Sequence, residues 1–366
     1  MRKREPMKIF QLVTQMEAGG AQRVAFLLKD EFERREYDST LWFLYTKRTA
    51  YAGLAGVASL LDHPPAPLDY FKILARFARL IRTEKPDVLI THTHYANVMG
   101  HVLSSLLGVR HRIAVQHNPT HTYPRAARMA DSLIGSFGGY TSNVAVSKTV
   151  IDSISRYPLS YRDRTTIVYN GVPAPRPASS RRVTRQSLGI PLDAPLLINV
   201  GRFSRQKNQE FLIRLIAGNR EIHLVLVGNG ELREHLHAAA AQLQVADRVH
   251  FTGEVSPADV SSLIAASDVF VLPSLFEAVG MVVLEAMLLG VPVVSNDIPS
   301  SHEFIGTDGV IVDIDSPNEW LASIQMLLNQ PEAAADMARR ANIKAQRFTV
   351  ERMADGYERQ MTPMVV

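Results

Sequence analysis

Two carboxylates interrupt the oiliest stretch of this 366-residue chain. In Ser274-Leu275-Phe276-Glu277-Ala278-Val279-Gly280-Met281-Val282-Val283-Leu284-Glu285-Ala286-Met287, Glu277 and Glu285 stand eight positions apart among mostly apolar residues. A carboxylate in such surroundings is costly unless it is paired or hydrogen-bonded, so each needs a partner. The stretch reads as a strand from Val269 to Leu272 ended by Pro273, a loop carrying Glu277, and an apolar helix from about Gly280 to Leu289 carrying Glu285. Gly290 suits a left-handed helix stop and Pro292 prevents continuation, so Val291 to Val294 begin the next strand. The helix start at Gly280 presents backbone N–H groups and a partial positive charge, which suits an anion. Two acceptors for hydroxyl groups beside an anion site are what a nucleotide-sugar requires. The alternative is a core helix whose Glu285 caps some other group.

Two further loops have the composition for phosphate chemistry, although the first of them also reads as a solvated basic loop. Gly201-Arg202-Phe203-Ser204-Arg205-Gln206-Lys207-Asn208 follows the buried strand Leu196 to Val200, and its cations could clamp a diphosphate, arginine with paired donors and lysine as a point charge. Gly19-Gly20 separates a strand over Lys8 to Thr14 from a helix beginning near Ala21, an arrangement that presents main-chain N–H groups to phosphate and lets a ligand approach closely at Gly20. A third glycine is missing, so this is no dinucleotide fingerprint, and a plain strand–helix turn fits as well. His92, His94 and His117 follow two consecutive strands, where doubly wound sheets bind ligands. Zinc is not expected there, since no carboxylate lies adjacent. Asp313-Ile314-Asp315 reads as a turn, and no metal is expected to be required.

Strands and helices alternate through both halves, which predicts α/β architecture with two doubly wound, Rossmann-like domains. The stretch after Asn170-Gly171-Val172, with Pro173, Pro175, Pro177, two serines and Arg181-Arg182, has linker composition. The expected division is 1–172, a linker at 173–190, and 191–349. A helix over Asp69 to Lys85 places Phe71, Leu74, Phe77, Ala78 and Ile81 on one side and Lys72, Arg76 and Arg79 on another. Such a basic amphipathic helix can lie on an anionic bilayer, or simply cover a sheet.

Cysteine is absent, which excludes disulfides, thiolate metal sites and a cysteine nucleophile. Residues 1–172 carry 23 Lys and Arg against 14 Asp and Glu, while the remainder carries 17 against 22. A basic first half attracts anions, whether nucleic acid or an acidic membrane surface. Nucleic acid would leave the paired glutamates unexplained. The start, Met1-Arg2-Lys3-Arg4 and a short segment broken by Gln11, Thr14 and Gln15, is too short and polar for a signal peptide or membrane span. A cytoplasmic protein, peripheral at the inner face of the membrane, is expected.

Assembled, these residues resemble the retaining glycosyltransferases of the GT-B fold, family 4 or group 1 type, over nearly the whole chain. The carrying motifs are Glu277 and Glu285 in the frame Ser-x-x-Glu-x-x-Gly-x-x-x-Leu-Glu-Ala-Met, the Gly201-Arg202 to Lys207-Asn208 loop, Gly19-Gly20-Ala21-Gln22-Arg23, and Asn170-Gly171-Val172. The resemblance implies two domains facing a central cleft, with the terminal helix, 350–366, packed back on the first. It implies that Arg202 and Lys207 hold the donor diphosphate, Glu285 the ribose and Glu277 the transferred sugar. The main chain at Gly280, Met281 and Val282 would face phosphate or sugar, and Val255 would meet the base. Gly20 would close over the diphosphate, and His117 would line the reaction centre. The implied donor is a UDP-sugar, and the acceptor a saccharide or polyprenyl-diphosphate-linked saccharide of surface polysaccharide assembly, with no metal or cofactor. Where the family has Gly-Phe-Gly after its first glutamate, this chain has Ala278-Val279-Gly280, and Gln22 stands where Glu is usual. A sugar-nucleotide epimerase on the same fold and a two-domain sugar-binding protein are the rivals.

Overall fold

The computed structural model describes residues 6–361; the cationic start at Met1 to Arg4 and the last five residues of the expected terminal helix lie outside them. By its contacts the chain forms two compact units. One runs up to Gly171 and resumes at Thr349, and the other spans Val172–Phe348.

The first unit opens with β1 (Lys8–Met16), α1 (Gly20–Arg34), β2 (Asp38–Thr46), β3 (Val57–Ser59), α2 (Asp69–Glu84), β4 (Val88–His92) and α3 (His94–Leu106). It continues through β5 (His111–Gln116), α4 (Arg125–Ser136), β6 (Ser142–Ala145), α5 (Lys148–Ser153), α6 (Leu159–Arg162) and β7 (Thr165–Ile167). These strands pair in parallel in the order β3-β2-β1-β4-β5-β6-β7. Parallel strands need crossovers, and the helices between them bury the runs of Ile, Leu and Val that both sheet faces present. The order reverses between β1 and β4, the switch point at which such sheets open a crevice beyond their carboxyl ends.

In α2 the buried stripe is Ile73, Phe77 and Ile81, at i, i+4 and i+8. Phe71, expected on that side, stands exposed instead, because a step of two residues turns it 200° from Ile73. Lys72 pairs with Asp69 at 2.8 Å and Arg76 donates to the Leu60 carbonyl, so two of the three cations named on α2 have local partners, while Ile73, Phe77 and Ile81 face inward.

The second unit begins with α7 (Arg181–Ser187), inside the stretch whose composition suggests a linker. It is no free spacer. Arg185 is fully buried, donates to the carbonyls of Ala266, Pro191, Leu192 and Ala194, and pairs with Asp268 at 2.8 Å. There follow β8 (Leu196–Val200), α8 (Gln209–Ala217), β9 (His223–Val227), α9 (Arg233–Gln242), β10 (Val249–Gly253), α10 (Pro257–Ala265), β11 (Val269–Leu272) and α11 (Met281–Leu288). Then come β12 (Val293–Asn296), α12 (Pro299–Phe304), β13 (Val310–Val312), α13 (Pro317–Asn329) and α14 (Pro331–Ala345). The sheet order is β10-β9-β8-β11-β12-β13, with its switch point between β8 and β11. Among the described residues no helix is long and apolar enough to cross a membrane.

The last helix, α15 (Val350–Met361), belongs to the first unit. Arg35 holds it there, pairing with Asp355 at 2.7 Å and Glu358 at 2.9 Å, and Ser142 donates to Gln360 at 2.5 Å. Gly171 lies where the returning chain crosses, and a Cβ there would run into the main-chain carbonyl of Thr349. Backbone cannot yield as a flexible side chain would, so Gly171→Ala is expected to lower stability by about 1–3 kcal/mol, read as a lower urea midpoint. An unchanged midpoint would show that the crossing has room.

Candidate active site

The two loops singled out by their charge leave the two strands at the switch point of the second unit. β8 runs into Gly201–Asn208, and β11 runs into Pro273–Gly280. They are laced together: Leu275 N–H donates to the Gln206 carbonyl at 2.8 Å, and Gln206 Nε2 donates to the Phe276 carbonyl at 2.9 Å. Below them, Asn199 Nδ2 donates to the Val271 carbonyl at 2.8 Å and Asn296 Nδ2 to the Ser274 carbonyl at 2.9 Å. These tethers escape motif reading. Their signal is an amide at or near the end of an otherwise apolar strand.

On this scaffold Lys207 Nζ donates to Glu277 Oε1 in a tight, largely desolvated ion pair. Each thus supplies the partner that the other's burial demands. Beside them α11 begins. Gly280 holds the left-handed conformation, φ 68° and ψ 58°, that a side chain would strain, and its Cα faces the methylene stem of Glu277. The Val283 N–H returns to the Gly280 carbonyl, while those of Met281 and Val282, in the first turn, point out of the helix start. An ammonium, a carboxylate and a helix N-terminus therefore converge on one spot. Such a set can bind an oxyanion and orient hydroxyl groups around it. Glu285, just over one turn into α11, is buried, and Arg202 is exposed on the neighbouring loop. Val255 lies half-buried between β10 and α10, where the Gly253 carbonyl accepts from Gly228 N–H at 2.9 Å. Asp313-Ile314-Asp315 is a turn closed by Asp315 N–H donating to Asp313 Oδ1 at 2.9 Å.

In the first unit the residues expected to act sit at the ends of β1, β4 and β5, which straddle its switch point. Gly20 starts α1, and a Cβ on it would meet nothing within 4 Å. Gln22 is buried and its Nε2 donates to the Gln15 carbonyl at 3.2 Å, a bond that a glutamate in this place could not make. His117 Nε2 lies 2.9 Å from His92 Nδ1, and His92 Nε2 lies 3.1 Å from Gln11 Oε1. His94 instead opens α3 and packs its ring, tilted, against those of Tyr95 and Tyr123. Between His92 and His94 stands Thr93, a β-branched residue at φ 76°, held by a 2.5 Å bond between its hydroxyl and that of Thr14. Backbone strain of this kind persists only where the surroundings over-determine it, and it concentrates at functional sites.

Burial brings His117 and His101 down to about 3 and lowers His92 well below its ordinary value, so all three are neutral at pH 7. The unfolded chain, with histidines near 6.5, takes up protons first on acidification. This stability is therefore complete above about pH 6.5 and is lost as pH falls toward 3. The urea midpoint should drop between pH 7 and pH 5, and a flat midpoint would refute the neutral state.

Comparison with known proteins decides what this arrangement belongs to. Residues 180–344 match the family described as glycosyl transferases group 1, and residues 18–176 match glycosyltransferase family 4. The chain belongs to the group 1 glycosyltransferases. It is 27% identical over 347 residues to the lipopolysaccharide core biosynthesis glycosyltransferase LpsE of Rhizobium meliloti, covering 93% of this chain and 94% of that one. The crystal structure of Anabaena HepE in complex with UDP and glucose superposes with a TM-score of 0.83 at 21% identity, over 97% of this chain and 99% of that one. WaaG, a glycosyltransferase involved in lipopolysaccharide biosynthesis, superposes at 0.78 with 17% identity, over 97% and 100%. Two Rossmann-like units with parallel sheets make this glycosyltransferase a GT-B fold enzyme, and both switch points carry its candidate residues.

Proposed function

We propose that this glycosyltransferase moves a hexose or N-acetylhexosamine from a UDP-sugar to a saccharide or polyprenyl-diphosphate-linked saccharide, with retention at the anomeric carbon, in surface polysaccharide assembly. The observation that carries the donor half is the Lys207–Glu277 pair at the start of α11. Breaking a sugar–phosphate bond develops negative charge on the departing diphosphate and positive charge on the sugar ring. An ammonium has three N–H groups; one engages Glu277, leaving two for phosphate oxygens. Together with Arg202 and the N–H groups of Met281 and Val282, it stabilises the leaving diphosphate electrostatically, and this reading needs no metal or cofactor. Glu277, fixed by Lys207, accepts from sugar hydroxyls, Glu285 from the ribose, and the main chain at Val255 meets the base. Gly20 admits the diphosphate closely, and neutral His117 meets the transferred sugar. A departing phosphate oxygen takes the acceptor proton on the face that it leaves.

The UDP and glucose bound to HepE and the lipopolysaccharide role of LpsE support the donor and acceptor classes. By the same reading the enzyme is cytoplasmic and works at the inner, anionic face of the membrane, where a polyprenyl-linked acceptor is held. Thermal unfolding with UDP-, GDP- and ADP-sugars tests the donor. A ligand at 100 times its Kd adds about 2.7 kcal/mol to the native state, so UDP-sugars should raise Tm by about 3 °C or more. Equal protection by all three nucleotides would remove the uridine assignment, and protection by free sugar alone would remove the donor site.

A further inference from the structure

Three polar side chains form a row through the apolar middle of the first sheet. In its parallel ladders Gln11 stands opposite Ile90, and His92 opposite Val115. A step of two along a strand returns to the same sheet face, so Gln11, His92 and His117 line up across β1, β4 and the end of β5. Gln11 and His92 are wholly buried, and only His117, 7% exposed, reaches the surface. The strand ends that carry the row are pinned: the Thr14 hydroxyl is bonded to that of Thr93 and accepts from Ala96 N–H at 3.3 Å. The protons in the row run one way. Gln11 Oε1, 3.1 Å from His92 Nε2, can only accept, so His92 carries its proton on Nε2. A neutral imidazole then has a bare Nδ1, and His117 donates to it through Nε2 at 2.9 Å. That leaves Nδ1 of His117 bare.

Stability does not explain the row. Gln11 is flanked in β1 by buried Phe10 and Leu12, and its Nε2 has no hydrogen-bond partner among the described residues. An orphaned buried donor is a cost that an apolar side chain of like length would not carry. We infer that Gln11 and His92 are positioning residues that make His117 a hydrogen-bond acceptor, its bare Nδ1 taking a hydroxyl of the transferred sugar. The inference rests on the placing of His117 at the sugar in the reading above, and adds the direction of that bond. Direction decides what the ring can recognise. A hydroxyl donates, so it satisfies a bare nitrogen; an ionised phosphate oxygen only accepts, so the same nitrogen repels it. The row therefore reserves His117 for the sugar and withholds it from the diphosphate, and a donor sugar lacking the facing hydroxyl forfeits the contact.

Magnetic resonance spectra of the full chain with isotope-labelled histidine test the row directly. At neutral pH His117, assigned by its loss in His117→Gln, should be protonated on Nε2 and bare on Nδ1. Gln11→Met removes the acceptor, so His92 is free to protonate on Nδ1, and His117 should then show the Nδ1–H form as well. Tm should stay within about 2 °C, since the substitution also removes the orphaned amide. Affinities measured by calorimetry add a readout that a merely structural role would not move. Gln11→Met should leave UDP binding unchanged and weaken the tightest of UDP-glucose, UDP-galactose and UDP-N-acetylglucosamine about 10-fold, the loss of one hydrogen bond. Of that sugar's monodeoxy analogues, one should bind both proteins equally weakly. The inference is overturned if unaltered His117 carries its proton on Nδ1, if the variant weakens UDP as much as the UDP-sugar, or if it weakens neither. Absence of UDP binding to the unaltered chain would instead sink the donor site and the ligand named here, while the spectra still decide the sense of the row.

Discussion

Replacing Lys207 by alanine should lower kcat/KM for sugar transfer by on the order of 10²–10³-fold, the range for loss of one preorganised donor to a developing anion. The structure sharpens this expectation, because Lys207 is no solvated loop cation. It is mostly buried, its ammonium is held by Glu277, and its loop is laced to the Glu277 loop through Gln206. Removing it takes a positive charge from beside the start of α11 and releases Glu277 from its position. The cost to folding is moderated because the adjacent helix N-terminus also favours the carboxylate. Glu277→Gln should leave the lysine charge in place while loosening its aim, so transfer falls by a smaller factor. Because the two side chains act as one unit, the double variant should fall short of the sum of the singles by about 0.5–3 kcal/mol in transition-state energy. Near-normal transfer by a purified, folded Lys207→Ala protein would sink the clamp, and strict additivity would sink the pairing.

Gly20→Val is expected to abolish most transfer, by about 10²-fold or more, while leaving Tm within about 2 °C. A Cβ at Gly20 finds no protein atom within 4 Å, so the fold does not require glycine here. Valine at a helix's first position costs little. Whatever the substitution damages must therefore be the approach of something outside the protein to the α1 start. Retained transfer would show that no ligand comes close at Gly20, whereas a large fall in Tm would mean that the fold, not a ligand, needs the glycine. Gly171→Ala makes the opposite contrast, since there the obstacle is the chain's own Thr349 carbonyl.

Much of the fold is legible in the linear pattern. Buried strands such as Leu196–Val200 and Val269–Leu272 are continuous apolar runs, and the punctuation after them, Gly201 and Pro273, marks the loops that carry the chemistry. Helices α3 and α4 are harder to read. Their buried faces hold Asn97, His101, Ser104, Asp131 and Gly135 among the apolar residues that meet the core, so hydrophobic periodicity marks those faces only weakly. Phe71 misleads for the related reason that a large apolar residue need not be inside.

By itself the sequence determined the alternation of strand and helix, the two domain-sized halves, the glycine and proline stops, and the residue types at each strand end. These depend on local backbone preference and burial period, which act within a few residues. Tertiary structure alone decided that Lys207 and Glu277, 70 positions apart, neutralise each other. It also brought His92 against His117 and returned α15 to Arg35. Such pairings depend on which strands become neighbours in a sheet, and that order is set by burying whole helix faces at once. No short stretch of chain carries that information.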